Sequence, residues 1–257
     1  MIHNVCIAAI KKEAKAYGFG YLLSVDSDPK TAKSNKANKG FYTAIMYLAP
    51  AKLSGYQTCA SAKECISGCI HYQGNPVYFK AKEKARIART RFFFERRAEF
   101  YALLAHEIRA FVRKCKKLGL KPAIRLNGTS DIVWEKVAPW IFIEFPKVVF
   151  YDYTKHLKRV QASWNMPFNY SLTFSRQLSN HSDSIKVIEN GNNIAVVFRK
   201  KKLPLFWNGF PVVSGDETDL RFLDPQGGYV IGLYAKGSAK KDTSGFVVEN
   251  EESYSLQ

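Results

Sequence analysis

The chain has 257 residues, of which 46% are hydrophobic and 14% aromatic, so it can bury one large core, and disordered and fibrous classes are excluded. Thirty-nine lysines and arginines stand against 22 acidic residues, a formal charge of +17. That excess fits a polyanionic partner, DNA or RNA foremost, with plain solubility as the alternative.

The first residues, Met1 to Lys12, lack the basic start and long apolar run of a signal peptide, so a cytoplasmic location is expected. Asn4 to Ala16 reads as a short helix that ends at Gly18-Phe-Gly20. From Asp26 to Gly40 the chain is polar, and Lys30, Lys33, Lys36 and Lys39 recur every third residue. These lysines are read either as phosphate contacts or as part of a solvated linker. The expected organisation is therefore a basic N-terminal extension over 1–40 and a single domain over 41–257.

Phe41 to Pro50 reads as a buried strand, stopped by its proline. Close behind it, Cys59, Cys65 and Cys69 place three of the five cysteines within eleven residues. Core thiols are normally scattered, so this clustering points to a metal ion or a cluster. In a reducing cytoplasm a disulfide is the weaker reading. Three thiolates are one ligand short of a closed tetrahedral site. Either a fourth ligand completes it, with His71 the nearest candidate for zinc, or one position stays open for chemistry.

A long helix is expected over about Lys80 to Leu118. Its stripe of Ile87, Phe94, Ala98, Tyr101, Ala105, Ile108, Val112 and Cys115 steps at helical spacing. Its other face is basic, with Arg96, Arg97, Lys116 and Lys117 as phosphate-contact candidates alongside Lys80, Lys82 and Lys84. Gly119 is the predicted stop.

Lys121 to Leu126 reads as a second strand, running into the polar turn Asn127-Gly128-Thr129-Ser130-Asp131. The most apolar stretch, Val137 to Tyr151, is interrupted by Glu144, Pro146 and Lys147 and cannot span a bilayer. Further strands are expected at Val148–Tyr151, Asn169–Ser175, Asn193–Phe198 and Tyr229–Ala235. The third is followed by Asp152, Tyr153, Thr154 and Lys155. Tyr151, Asp152 and Lys155 are read as pocket-lining, with a surface turn as the plainer alternative. Asp216, Glu217, Asp219 and Asp224 lie in a turn-rich stretch, read as a solvated loop before a Mg²⁺ site. Strands separated by helix-length connections imply parallel βα units, here an α/β partial (βα)6 TIM-like barrel. Functional groups would gather at the strands' C-terminal ends.

Two resemblances follow from these motifs. Leu48-Ala49-Pro50, the cysteine triplet, Arg125 to Ile132, Phe150 to Lys155, Tyr170 to Ser175 and Asp219 to Pro225 resemble the phage gene product 88 family, over about Pro29 to Val248. That likeness implies a phage or mobile-element protein in the host cytoplasm and no particular activity. The order of parts is also similar to radical S-adenosylmethionine enzymes, which carry three cysteines after the first strand of a six-unit partial barrel. That likeness implies a [4Fe–4S] cluster on Cys59, Cys65 and Cys69 and S-adenosylmethionine bound by Asn127, Gly128, Thr129, Ser130 and Asp131, where the carboxylate of Asp131 would meet the methionyl amine. Ser171, Thr173 and Ser175 would face the ribose, and an electron donor would be needed. The cysteine spacing here departs from that family's CxxxCxxC, and Gly68 stands where it usually has an aromatic. The implied activity is a radical reaction on nucleic acid or another anionic substrate. The alternative is a zinc-stapled basic nucleic-acid-binding protein without chemistry.

Overall fold

The computed structural model describes residues 6–26, 32, 35, 36, 39–72, 76–161 and 166–250. It is a mixed α/β protein with ten strands among the described residues, most of them paired in parallel. The chain divides into two compact units, Met1–Ala60 with Asn75–Phe150, and Ser61–Gly74 with Tyr151–Gln257. No described helix is long and apolar enough to cross a membrane.

In the first unit, helix α1 (Ile7–Tyr17) ends at Gly18, whose φ of 108° only glycine adopts without strain. Strand β1 (Leu23–Ser24) pairs antiparallel with β2 (Phe41–Met46). The expected extension thus contributes a helix and a strand to this unit rather than standing outside it. Of the four spaced lysines, Lys30 and Lys33 lie outside the described residues, whereas Lys36 and Lys39 are exposed. Strand β3 (Lys121–Arg125) runs parallel to β2, and the first residues of β4 (Val149–Thr154) pair parallel with β3.

The single long helix expected from the apolar stripe is two helices, α2 (Pro76–Glu95) and α3 (Arg97–Leu118). The chain bends at Arg96, which has φ −130° and ψ 56°. No glycine or proline marks the bend. It lets phenylalanines on both sides meet: Phe93 packs edge-on against Phe100 at 5.0 Å, and lies tilted against Trp134 at 5.3 Å. Aromatic packing of this kind outweighs the propensity to continue one helix. Helix α3 stops at Gly119 as its sequence predicts, with φ 67° and the Leu120 N–H bonded to Cys115 O at 3.0 Å. The carboxylate of Glu107 is buried beneath β1 and accepts the N–H groups of Leu22 and Leu23. Two short helices, α4 (Trp134–Val137) and α5 (Trp140–Glu144), lead into β4.

In the second unit the strand order is β4-β5-β6-β9-β8-β7. Strand β5 (Tyr170–Ser175) is parallel to β6 (Ile194–Phe198), and β6 is parallel to β9 (Val230–Tyr234). A hairpin of β7 (Phe206–Trp207) and β8 (Phe210–Ser214) follows β6, and β8 lies parallel beside β9. Strand β10 (Val247–Val248) pairs with β6. Helices α6 (Leu157–Gln161) and α7 (His181–Glu189) cover a core of Phe174, Val187, Ile194, Val196, Phe198, Trp207 and Val230.

Candidate functional site

The turn after β3 is held by one side chain. Asn127 is 1% exposed, and its Oδ1 accepts from Ser130 Oγ at 2.8 Å, Ile132 N–H at 3.0 Å and Trp134 Nε1–H at 3.1 Å. Its amide donates to Ile132 O at 2.9 Å. Thr129 Oγ1 donates to Leu48 O, and the Gly128 N–H to Met46 O at 2.9 Å. A Cβ on Gly128 would lie 2.6 Å from that same carbonyl, so only glycine fits. Asn127, Thr129 and Ser130 are buried and spend their polar atoms on the turn, whereas Asp131 is half-buried. The turn also meets the start of the cysteine loop. The Asp131 N–H donates to Thr58 O at 2.8 Å, and the Cys59 thiol lies 3.7 Å from Thr129 O. Two sequence-predicted parts, the first cysteine and the Asn-Gly-Thr-Ser-Asp turn, are thereby brought together.

None of the five cysteines forms a disulfide. Cys59, Cys65 and Cys69 are each half-buried, and Cys115 is buried on α3 as its stripe position predicts. Burial pushes the Cys115 thiol up to about 11, so it stays protonated and inert. Cys59 belongs to the first unit and the other two to the second. Among the described residues, no three His, Cys, Asp or Glu side chains are gathered as a metal ion would require. Cys65 packs against Ala235, Ala239, Phe246 and Val247. Gly68 lies against the Phe246 ring, 2.9 Å from where its own Cβ would stand, so an aromatic at that position is sterically excluded. His71 is buried, its ring is edge-on to Tyr72, and its backbone N–H donates to Cys69 Sγ at 3.4 Å.

The second half of the loop is stapled to the chain's end. Asp242 accepts from Ser67 Oγ at 3.1 Å, Ser244 Oγ at 2.6 Å and Val247 N–H at 3.0 Å. Burial opposes its ionisation, but these hydrogen bonds outweigh it and hold the carboxyl below its usual range.

A further polar group stands beyond the ends of β4 and β5. His156 Nδ1 lies 3.1 Å from Ser61 Oγ, and Lys155 Nζ donates to Ser175 Oγ at 2.7 Å. Gln177 Nε2 donates to Ser61 O at 2.8 Å. Ser61, Lys155, His156 and Ser175 are all half-buried. Lys155 and Ser175 were legible in the sequence as strand-end polar residues; Ser61 and His156 were not, because nothing local links residue 61 to residue 156. Of the other residues read as pocket-lining, Tyr151 and Asp152 are each 1% exposed. Asp152 accepts from Tyr170 OH at 2.8 Å, and Tyr170 OH accepts from Arg159 at 3.0 Å. This is a core network, in which Arg159 also reaches Thr154. On β5, Thr173 is buried and Ser171 half-buried.

The acidic stretch between β8 and β9 pairs with cations. Asp216 meets Lys236 at 2.5 Å and the Tyr234 N–H at 2.8 Å. Asp224 lies 3.3 Å from the buried Arg221 guanidinium. Burial pushes the Asp224 carboxyl up to about 6, against the lowering pull of Arg221, with Asp219 adding to the rise.

Fold and site together define a mixed α/β protein whose strand-end loops carry thiols, hydroxyls and a lysine. The model of the gene product 88 family matches residues 21–250, and the chain belongs to that family. No curated protein and no solved structure matches the chain.

Proposed function

We propose that this chain is a radical S-adenosylmethionine-like iron–sulfur enzyme on a partial barrel, acting on an anionic substrate. One observation carries the reading: each unit holds a run of parallel neighbouring strands. Strands β2, β3 and β4 follow one another in chain order and pair in parallel in the first unit; in the second β5, β6 and β9 are parallel neighbours, with the β7–β8 hairpin inserted in the chain between β6 and β9; and the cysteine loop leaves β2. Parallel α/β folds build their sites on the loops that follow the strands' C-terminal ends.

In this proposal Cys59, Cys65 and Cys69 hold the [4Fe–4S] cluster. The donor chemistry fits, since all three are half-buried thiols outside any disulfide. When bound, the cluster supplies the electron that cleaves the sulfonium of S-adenosylmethionine. The chain's own residues bind and orient. Asp131 offers its carboxylate to the methionyl amine. Asn127, Thr129 and Ser130 act by fixing the turn that carries Asp131, and Gly128 by letting the backbone close on Met46. Ser171, Thr173 and Ser175 are the ribose-side candidates. Lys155 is the contact for an anionic substrate, and His156 with Ser61 is placed to move a proton.

The test is anaerobic reconstitution with iron and sulfide. The expected protein is brown and holds about four irons per chain, as one cubane cluster requires. Each of Cys59→Ala, Cys65→Ala and Cys69→Ala loses the iron, while Cys115→Ala keeps it. Asp131→Asn is expected to weaken S-adenosylmethionine binding with iron content unchanged. A colourless protein with one zinc that is lost in His71→Ala would replace this reading with the zinc-stapled one.

A further inference from the structure

Helix α2 is built in two halves. From Ala88 onward it is core: Ala88, Arg89, Thr90, Phe92 and Phe93 are buried. Its start is not. Val77 is 79% and Tyr78 58% exposed, and Lys80, Ala81, Lys82 and Lys84 are exposed as well. Among the described residues, none of these three lysines makes a hydrogen bond or an ion pair. Lys116 and Lys117 at the end of α3 are exposed in the same way, but three other basic residues on these helices are held. Arg96 is held by Glu13 at 2.9 Å and Glu99 at 2.8 Å, Arg97 lies 3.8 Å over the Phe93 ring, and Lys114 reaches Asp26 at 3.4 Å. Of the helix residues read from the sequence as phosphate contacts, Arg96 and Arg97 are therefore occupied internally.

We infer that the exposed start of α2 is a docking ridge for the backbone of a single-stranded nucleic acid. At 3.6 residues per turn, Lys80 and Lys84 share one face, while Tyr78 and Lys82 share another. The ammonium groups of Lys80 and Lys84, one turn apart, can take phosphates of a strand that carries one charge per nucleotide, and on the other face the exposed Tyr78 beside Lys82 is a platform on which a base stacks. Charge decides among occupants. A second copy of a chain with formal charge +17 is repelled from this ridge. A membrane finds only Val77 and Tyr78 to insert, too little apolar surface for an interfacial helix. The inference rests on this surface and not on the cluster, so it stands or falls separately from the enzymatic reading.

The test is fluorescence anisotropy of the full chain with a labelled single-stranded oligonucleotide, as DNA and as RNA, from about 50 to about 200 mM KCl. The charge reversal of Lys80, Lys82 and Lys84 to Glu is expected to cut affinity at least tenfold and to lower the salt slope by about 2. The milder triple change to Gln should give a smaller loss in the same direction. Tyr78→Ala is expected to weaken binding roughly fivefold with the slope unchanged. Iron and zinc contents, measured on the same preparations, stay at their wild-type values. Absence of binding at the lowest salt, equal affinity in the triple variants, or equally tight binding to poly-glutamate or to phosphatidylserine vesicles overturns the inference.

Discussion

The turn after β3 and the polar rim after β4 and β5 use the same residue types to opposite ends. In the turn, Asn127, Thr129 and Ser130 are buried and spend their hydrogen bonds on the backbone around them. In the rim, Ser61, Lys155, His156 and Ser175 bond in side-chain pairs and remain half-buried. A buried, saturated group is costly to remove and has nothing left to offer a ligand. A half-buried pair is cheap to break and can exchange its partner for a substrate. The same serine or lysine can thus belong to the fold or to the chemistry, and only burial and partner count separate the two.

The sharpest way to break this comparison is at Asn127. Asn127→Ala leaves Ser130, Ile132 and the Trp134 indole without their shared acceptor, and a loss of about 3 kcal/mol or more is expected in denaturant unfolding. A loss under about 1 kcal/mol would show that water replaces the side chain and that the turn is not a lock. Next is Gly128→Ala, whose added Cβ meets the Met46 carbonyl at 2.6 Å; about 2 kcal/mol is expected from the forced shift. On the rim, Lys155→Met and His156→Ala should each move stability by less than about 0.5 kcal/mol while lowering any activity on an anionic substrate. Equal stability losses at Asn127 and Lys155 would erase the distinction.

The smallest effect is a pH dependence. Asp224 is raised in the folded protein to about 6 from its ordinary value of 3.8. The folded state therefore prefers the protonated carboxyl. Its favourable contribution is complete below the unfolded value and fades as pH rises through about 6. Thermal unfolding midpoints measured between the two values should fall with rising pH by more in the wild type than in Asp224→Asn. Parallel curves would mean that Arg221 keeps the carboxylate ionised throughout.

The six strands read from apolar runs coincide with β2, β3, β4, β5, β6 and β9, because a parallel strand buried on both faces leaves a continuous apolar signature. The helix stops at Gly18 and Gly119 were equally legible, since both need positive φ. The bend at Arg96 was not, because it arises from aromatic packing between residues on either side and from no local breaker. The β7–β8 hairpin was missed too: Asn208-Gly209 is a turn signal, but its flanking strands are short and only partly apolar. Of the site, the cysteines and the Asn127–Asp131 turn were legible as motifs. Which of their atoms are already committed was not, because Asn127's partners are set by a backbone path that no residue type announces.

The Asp242 staple has a consequence for synthesis. Ser67 and Cys65 lie in a segment that belongs to the second unit, yet residues 75–150 of the first unit are made before the rest of it. Asp242, Ser244 and Val247, which hold that segment, leave the ribosome long after it, Asp242 following Ser67 by 175 residues. A growing chain can complete β2, β3 and their helices early, while Glu64, next to Cys65, waits for Ser244, 180 residues downstream, a contact of high closure entropy. The surroundings of Cys65 are therefore completed by residues made long after it.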